Sequence, residues 1–418
     1  MTRLNLRGKI KSHNKIIENI SYLSVLQIFT ILLPFITYPY LFRVIGKELY
    51  GNIIYAQAIA MYIAIIVNFG FNISGAKSCA IYKEERDQLS KVVSAIYNAK
   101  SIIWISCLFI YLLIILNVQF FKENFWLYFI TFFITLNELL FPVWFFQGIE
   151  KMKYNTFINV SARLLFTILI FVFVNSKVDY LLVPLLNSVG ALFGGILSLF
   201  FVFKKEKIRF HLSSLKEILH QFKDALPLFA SQASVKAYLS ANKLIVGSFL
   251  GMTEVAIYDV GEKVSGLMKV PIQVLNQAVF PKVCREKNIS FINKVLKISV
   301  SISLLIYIIV FLGSNIIIQF LMNEQNNLAV DILKILSLSV IFSSINTFLA
   351  GGRLIPLGYN KKYMILVITN SLFFFILIGL LVLIKSVTIY KLAIIVVIVE
   401  VFYFLTLLVS NWKQGTLK

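Results

Sequence analysis

Apolar runs of about twenty residues recur along this chain from one end to the other, separated by short basic segments. The hydrocarbon core of a bilayer takes roughly 20 helical residues to cross, so runs of this length point to membrane spans. Lipid offers the backbone no hydrogen-bond partner, and a span of this kind must therefore close its bonds internally as a helix. Only 14% of the 418 residues are charged while 59% are hydrophobic, too few charges to cover a soluble protein of this size. The expectation is an all-α membrane protein.

Apolar windows set against charged breaks give twelve expected spans, near 20–42, 50–74, 92–116, 124–146, 154–174, 179–203, 222–249, 254–280, 297–318, 327–350, 363–384 and 388–411. The basic N-terminus precedes a run too long for a cleaved leader and without a small-residue cleavage site, so it is expected to remain as the first span. The net charge of +21 could suggest nucleic acid, but its distribution argues otherwise. Of the 40 Lys and Arg, 27 fall in or beside the segments on the N-terminal side of the membrane, 6 in or beside the opposite loops, and 7 inside spans. This asymmetry is the positive-inside rule, and it predicts that both termini are cytoplasmic.

The most basic loop, KKEKIRFHLSSLKEILHQFK, divides the spans six and six. The expected domains are a lobe over 1–203, a basic cytoplasmic linker over 204–223 and a second lobe over 224–418. Weak internal echoes support the division. IGKELYG (Ile45 to Gly51) matches LGMTEVA (Leu250 to Ala256) in place, and FQGIEKMK after span 4 matches LGYNKKY after span 10. Parallel repeats of this kind, related by a pseudo-two-fold along the membrane normal, are a transporter architecture.

Charges inside spans are costly, about 2.5–3.5 kcal/mol at mid-bilayer on insertion scales, and usually face a bundle interior or a wet cavity. Seven basic side chains (Lys100, Arg163, Lys236, Lys243, Lys263, Lys269, Lys334) meet five acidic ones (Glu138, Asp259, Glu262, Asp331, Glu400) within the expected spans. Structural pairing would join Glu138 to Arg163 or Lys100, Lys243 to Asp259, and Asp331 to Lys334. Lys236 and Lys243 share a helix face, and Lys236 and Lys269 have no evident acidic neighbour at their depth. A cavity receiving an anion is the expectation for Lys236, Lys243, Lys263 and Lys269. Glu138, Asp259, Glu262 and Glu400 are candidates for ion coupling or structural pairing.

Enzyme motifs fail. GFNISGAKS (Gly70 to Ser78) approaches the phosphate loop G-x-x-x-x-G-K-[ST], but Ala76 separates the second Gly from Lys77, and the segment leaves a span rather than a strand. No HExxH, GxSxG or paired-histidine pattern appears. Cys79, Cys107 and Cys284 are scattered, and His13, His211 and His220 sit in basic hydrophilic segments, so no metal, cofactor or disulfide framework is expected. The stretch FPVWFFQGIEKMK is expected at the cytoplasmic edge of span 4, with its Trp and Phe residues at the interface and Lys151 and Lys153 as anchors.

Two segments carry a resemblance. LLPFITYPYLFRVIGKELYGNIIYAQA (Leu32 to Ala58) resembles the first-span signature of the Wzx-type O-antigen flippases, polysaccharide transporters of the multidrug/oligosaccharidyl-lipid/polysaccharide exporter superfamily. FPVWFFQGIEKMKYNTFINVSARL (Phe141 to Leu164) resembles their span 4–5 signature. The resemblance implies a non-enzymatic, multi-pass protein of the bacterial inner membrane that moves undecaprenyl-diphosphate-linked O-antigen repeat units from the cytoplasmic to the periplasmic leaflet. Arg43, in the PYLxRxxG pattern, and Arg163, in the NxxxR after the second motif, join the candidate cavity residues. The implied partners are the lipid-linked oligosaccharide, the bilayer, an O-antigen polymerase and a chain-length regulator. Two other readings stand beside this one: a multidrug exporter of the same superfamily, which would suit an acidic cavity, and a non-transporting membrane scaffold for glycan assembly.

Overall fold

The computed structural model describes residues 22, 25–30 and 32–415. The basic N-terminal segment with His13, the first residues of the expected first span and residues 416–418 lie outside the described residues. No strand occurs among the described residues, and the fold is all-α. Its main helices are α1 Val25–Ile45, α2 Lys47–Asn68, α3 Phe71–Ile81, α4 Arg86–Asn117, α5 Phe125–Gly148, α6 Met152–Phe173 and α7 Lys177–Lys205. They continue as α8 Leu215–Phe249, α9 Met252–Met268, α10 Val270–Glu286, α11 Ile289–Met322, α12 Asn327–Leu354, α13 Asn360–Leu383 and α14 Ile389–Lys413.

Ten helical segments among the described residues are long and apolar enough to cross a membrane, with α2 and α3 forming one of them. This is a multi-pass membrane protein. The expected spans 222–249 and 254–280 also fold as helices, α8 and α9–α10, but they are not among the ten. Lys236 and Lys243 on α8 and Asp259, Glu262 and Lys263 on α9 make these helices too polar to face lipid on every side.

The chain forms two compact units. One contains the described residues up to Thr37 and Ile59–Ala233; the other contains Tyr38–Ala58 and everything described from Ser234 onward. Residues 38–58, the end of α1 and the start of α2, thus pack within the second unit although they lie early in the sequence.

In the first unit, Pro142 decides the shape of α5. Proline lacks the N–H that would bond the carbonyl of residue 138, so the helix breaks there. Lys100, on α4 and almost completely buried, donates to the orphaned Glu138 carbonyl at 2.8 Å. The Tyr97 hydroxyl caps the Leu140 carbonyl at 3.3 Å. Past the break, Trp144, Phe145 and Phe146 are fully buried in a core with Phe71, Cys79 and Tyr97. This corrects the interfacial placement expected for these aromatics: the break turns them inward, against α3 and α4. Lys151 pairs with Glu206 at 2.6 Å, and Lys153 lies over the Tyr154 ring.

The linker after α7 is strapped to α4 rather than hanging as a loop. Ser90, Ser94 and Asn98 recur every four residues and so form one stripe. Ser90 Oγ accepts from Arg209 N at 3.2 Å, Ser94 Oγ accepts from His211 N at 3.2 Å, and Asn98 Nδ2 donates to the His211 carbonyl at 3.2 Å. Each satisfies a backbone group that an extended segment would otherwise leave to water.

In the second unit the two echoed turns meet. A Cβ on Gly51 would lie 1.7 Å from the Met252 carbonyl oxygen, so only glycine permits this approach of α2 to the start of α9. Nearby, Tyr55 and Ser248 share a hydrogen bond at 2.9 Å.

Candidate functional site

Lys243 of α8 and Asp259, Glu262 and Lys263 of α9 converge in the second unit. Asp259, Glu262 and Lys263 stand at i, i+3 and i+4 and so project from one face of α9. Lys243 reaches them from α8 and Tyr50 from α2. Asp259 is fully buried, and its Oδ1 lies 2.9 Å from Lys243 Nζ. Its Oδ2 lies 2.5 Å from Lys263 Nζ and accepts from the Tyr50 hydroxyl at 3.0 Å. Lys263 also donates to the Tyr50 oxygen at 2.8 Å, which uses that hydroxyl as donor and acceptor at once. Lys243 makes a second pair with Glu262 at 3.2 Å. The Lys263 ammonium sits 3.6 Å above the Tyr38 ring centroid, a cation–π contact.

Two ammonium groups and two carboxylates balance; among the described residues Asp259, Lys243 and Lys263 each have more than one partner, and Glu262 is held by Lys243 alone. These contacts offset part of the desolvation of the buried charges. It ties residues 38–58 to α8 and α9.

A second ionic group lies further along α9 and into α10. Lys269 Nζ is 3.7 Å from Glu400 Oε1 on α14, and Asn346 of α12 donates to Glu400 Oε2 at 2.8 Å. Lys269 therefore has the acidic neighbour that the sequence did not reveal. A cavity of about 230 Å³ joins the two groups, lined by Glu262, Lys269 and Glu400 together with Tyr238, Asn242 and Ser339. Lys236 projects from α8, half-buried, and has no ion pair or hydrogen bond among the described residues.

The other candidates fall elsewhere. Arg43 is exposed and donates to Asn323 Oδ1 at 3.3 Å, at the turn between α11 and α12, where Lys47 pairs with Glu324 at 3.1 Å. Arg163 lies on α6 in the first unit, half-buried. Glu138 makes no ion pair among the described residues; its Oε2 accepts from Asn68 Nδ2 at 2.8 Å, while Lys100 takes its carbonyl instead. Asp331 and Lys334 do not pair either: Asp331 accepts from the Tyr390 hydroxyl at 3.0 Å and Lys334 lies over the Phe311 ring. Tyr50, Tyr38 and Asn346 were missed by sequence reasoning. Tyr50 stands inside the echoed IGKELYG segment, and both Tyr38 and Tyr50 lie in the Leu32 to Ala58 stretch, signals that could have drawn attention to them.

Residues 16–287 match the family described as polysaccharide biosynthesis protein. The chain belongs to this family. Its match covers α8, α9 and both sequence motifs, and therefore the whole Tyr50–Lys243–Asp259–Lys263 network, but stops short of Glu400. The "Putative O-antigen transporter" of Escherichia coli (strain K12) is 26% identical over 370 residues, covering 86% of this chain and 88% of that protein. Among solved structures, the Lipid II flippase MurJ in an inward closed conformation is similar with a TM-score of 0.66 at 17% identity, covering 93% of this chain and 86% of that one. An outward-facing multidrug resistance MATE family transporter of the MOP superfamily is similar with a TM-score of 0.63 at 16% identity, covering 95% and 93%. This polysaccharide biosynthesis protein thus has the fold shared by those two transporters, with an ion-paired network in its second unit.

Proposed function

We propose that this protein is a flippase for lipid-linked polysaccharide precursors. Its substrate is an undecaprenyl-diphosphate-linked O-antigen repeat unit, which it carries by alternating access from the cytoplasmic to the periplasmic leaflet of the bacterial inner membrane. The two polar helical segments α8 and α9–α10 complete a set of twelve spans in two six-helix lobes, with both termini cytoplasmic and the basic segment 204–223 between the lobes. The O-antigen polymerase and the chain-length regulator act on the delivered unit.

The observation that carries this reading is the concentration of ionic side chains on α8 and α9 in a chain whose other spans are predominantly apolar. Sugars and a diphosphate would pay heavily to enter hydrocarbon unsolvated. A polar helix pair offers them hydrogen bonds and charge while the polyprenyl tail stays in lipid. Lys236 is the cation best placed to receive the diphosphate, because no carboxylate occupies it. Lys243, Lys263 and Lys269 are held by Asp259, Glu262 and Glu400, and an arriving anion competes with those carboxylates for them. Arg43 and Arg163 serve the same headgroup at other stages of its passage. The multidrug reading would draw on acidic groups free for a cation; Asp259, Glu262 and Glu400 each lie against a lysine, while Glu138 and Asp331 are held by Asn68 and Tyr390.

The test is complementation of a strain deleted for this gene, with surface O-antigen and lipid-linked precursor measured at matched membrane abundance. Lys236→Gln and Lys269→Gln are expected to lose surface polymer and accumulate precursor. Wild-type display from both variants would remove these lysines from the path, and unchanged display in the deleted strain would overturn the function.

A further inference from the structure

The first unit contains a larger cavity, about 430 Å³, that belongs to neither ionic group of the second unit. Three helices each give it one face. From α3 come Ser74, Lys77 and Ser78, the helical form of the failed phosphate-loop motif. From α4 come Gln88 and Lys91, and from the first turns of α8 come Glu217, His220, Gln221 and Asp224. Val92, Ala95 and Leu228 add an apolar wall.

The balance of satisfied and unsatisfied groups sets what the cavity can take. Glu217 Oε2 accepts from Ser214 N at 2.7 Å and Ser214 Oγ at 3.0 Å, and Asp224, exposed, lies 3.7 Å from His220 Nε2, a pair that is ionic only when the imidazole is protonated. Lys77 and Lys91 have no ion pair or hydrogen bond among the described residues, although, after the Ser214 hydrogen bonds, the Lys91 charge helps to hold the Glu217 carboxyl below its usual range. Gln221 is only 7% exposed, lines the cavity, and likewise has no hydrogen-bond partner among the described residues. The Gln221 amide opens onto the cavity, where a ligand atom or water can take its hydrogen bonds. The N-terminal turns of α4 and α8 both contribute to the wall, and helix N-termini favour negative charge.

We propose that this cavity binds the phosphoryl group of an anionic headgroup, with Lys77 and Lys91 as its cationic contacts and Gln221 as a hydrogen-bond donor. The apolar wall suits the glycerol and upper acyl carbons of a phospholipid, while the open rim also admits a free phosphate compound. The cavity's lining residues are different from those assigned to the proposed transport path. The cytoplasmic side follows from the topology proposed above, but binding itself does not depend on it.

The full-length protein in nanodiscs tests this with two probes. Native mass spectrometry after exchange from phosphatidylcholine into phosphatidylglycerol reads retained lipid, and calorimetry with inorganic pyrophosphate in phosphatidylcholine discs reads a soluble anion. The variants are Lys77→Gln/Lys91→Gln, Lys77→Arg/Lys91→Arg and, as a control outside the cavity, Lys223→Gln. Both lysines are exposed, so the variants should fold. Loss of two charge-assisted contacts is expected to weaken binding by at least about tenfold, with Arg restoring it and Lys223→Gln without effect. Retention of phosphatidylglycerol alone assigns the site to lipid, and pyrophosphate binding alone assigns it to a soluble anion. Binding of neither probe, or equal binding by wild type and the Gln variant, overturns the proposal.

Discussion

Replacing Asp259 by Asn keeps the shape of the side chain and removes its charge. In the native network Asp259 holds Lys243 at 2.9 Å, Lys263 at 2.5 Å and the Tyr50 hydroxyl at 3.0 Å. Asn leaves Lys263 without a carboxylate partner and Lys243 with Glu262 alone. Breaking a buried ion pair by removing one partner costs about 3–5 kcal/mol. The two lysine side chains retain 21% and 22% exposure, so part of their hydration can return, which argues for the low end, about 3 kcal/mol. Tyr50→Phe removes one hydroxyl from the same network and should cost about 1–2 kcal/mol. The decisive comparison is Asp259→Asn/Lys263→Met, which removes both members of the shortest pair. It should be more stable than Asp259→Asn alone, because the stranded charge is gone. Thermal unfolding of the purified chain in detergent, followed by size-exclusion fluorescence, ranks the four proteins. An Asp259→Asn variant within about 0.5 kcal/mol of wild type, the range of a neutral surface change, would refute the view that this aspartate neutralises the cluster.

Two further outcomes follow from the packing. Lys100→Met should cost about 1–3 kcal/mol by leaving the Glu138 carbonyl unsatisfied, and less in a Pro142→Ala background where an N–H is restored; equal costs in both backgrounds, read by thermal unfolding, would exclude the capping role. Gly51→Val should sharply reduce folded protein in the membrane, since a Cβ there would overlap the Met252 carbonyl; wild-type yield on size exclusion would show that α2 and α9 can separate.

The spans were legible in the sequence because lipid imposes one rule on every residue of a span, and long apolar windows record it. Every window past the N-terminal one is helical over most of its length, with breaks such as those at 69–70 and 141–142. The echo between IGKELYG and LGMTEVA also carried information, since those two turns touch in the second unit. Partners were harder to read. An i, i+4 pair such as Asp259 and Lys263 is local and can be inferred from spacing, whereas the bond from Tyr50 spans 209 positions. Lys269 looked unpaired for the same reason: Glu400 lies four helices away in the chain. The aromatics after Pro142 misled because Trp and Phe beside lysines have two physical meanings, interface or core, and only the helix break selects between them.

That break shows how a membrane protein can place a charge in its interior without using it for transport. Interrupting α5 at Pro142 frees backbone carbonyls in a partly buried region, and the Lys100 ammonium takes one of them. Lys100 is therefore explained by a proline 42 positions away. Lys236 has no such explanation: α8 has its own proline, Pro227, but Lys236 donates to no backbone or side-chain group among the described residues. In the sequence, Lys100 stands as a pairing partner of Glu138, and Lys236 as a cavity cation beside Lys243. A buried cation that closes a helix break should be replaceable by restoring the missing N–H, and one that awaits a ligand should not. By that criterion Lys100 belongs to the fold and Lys236 to the proposed transport path.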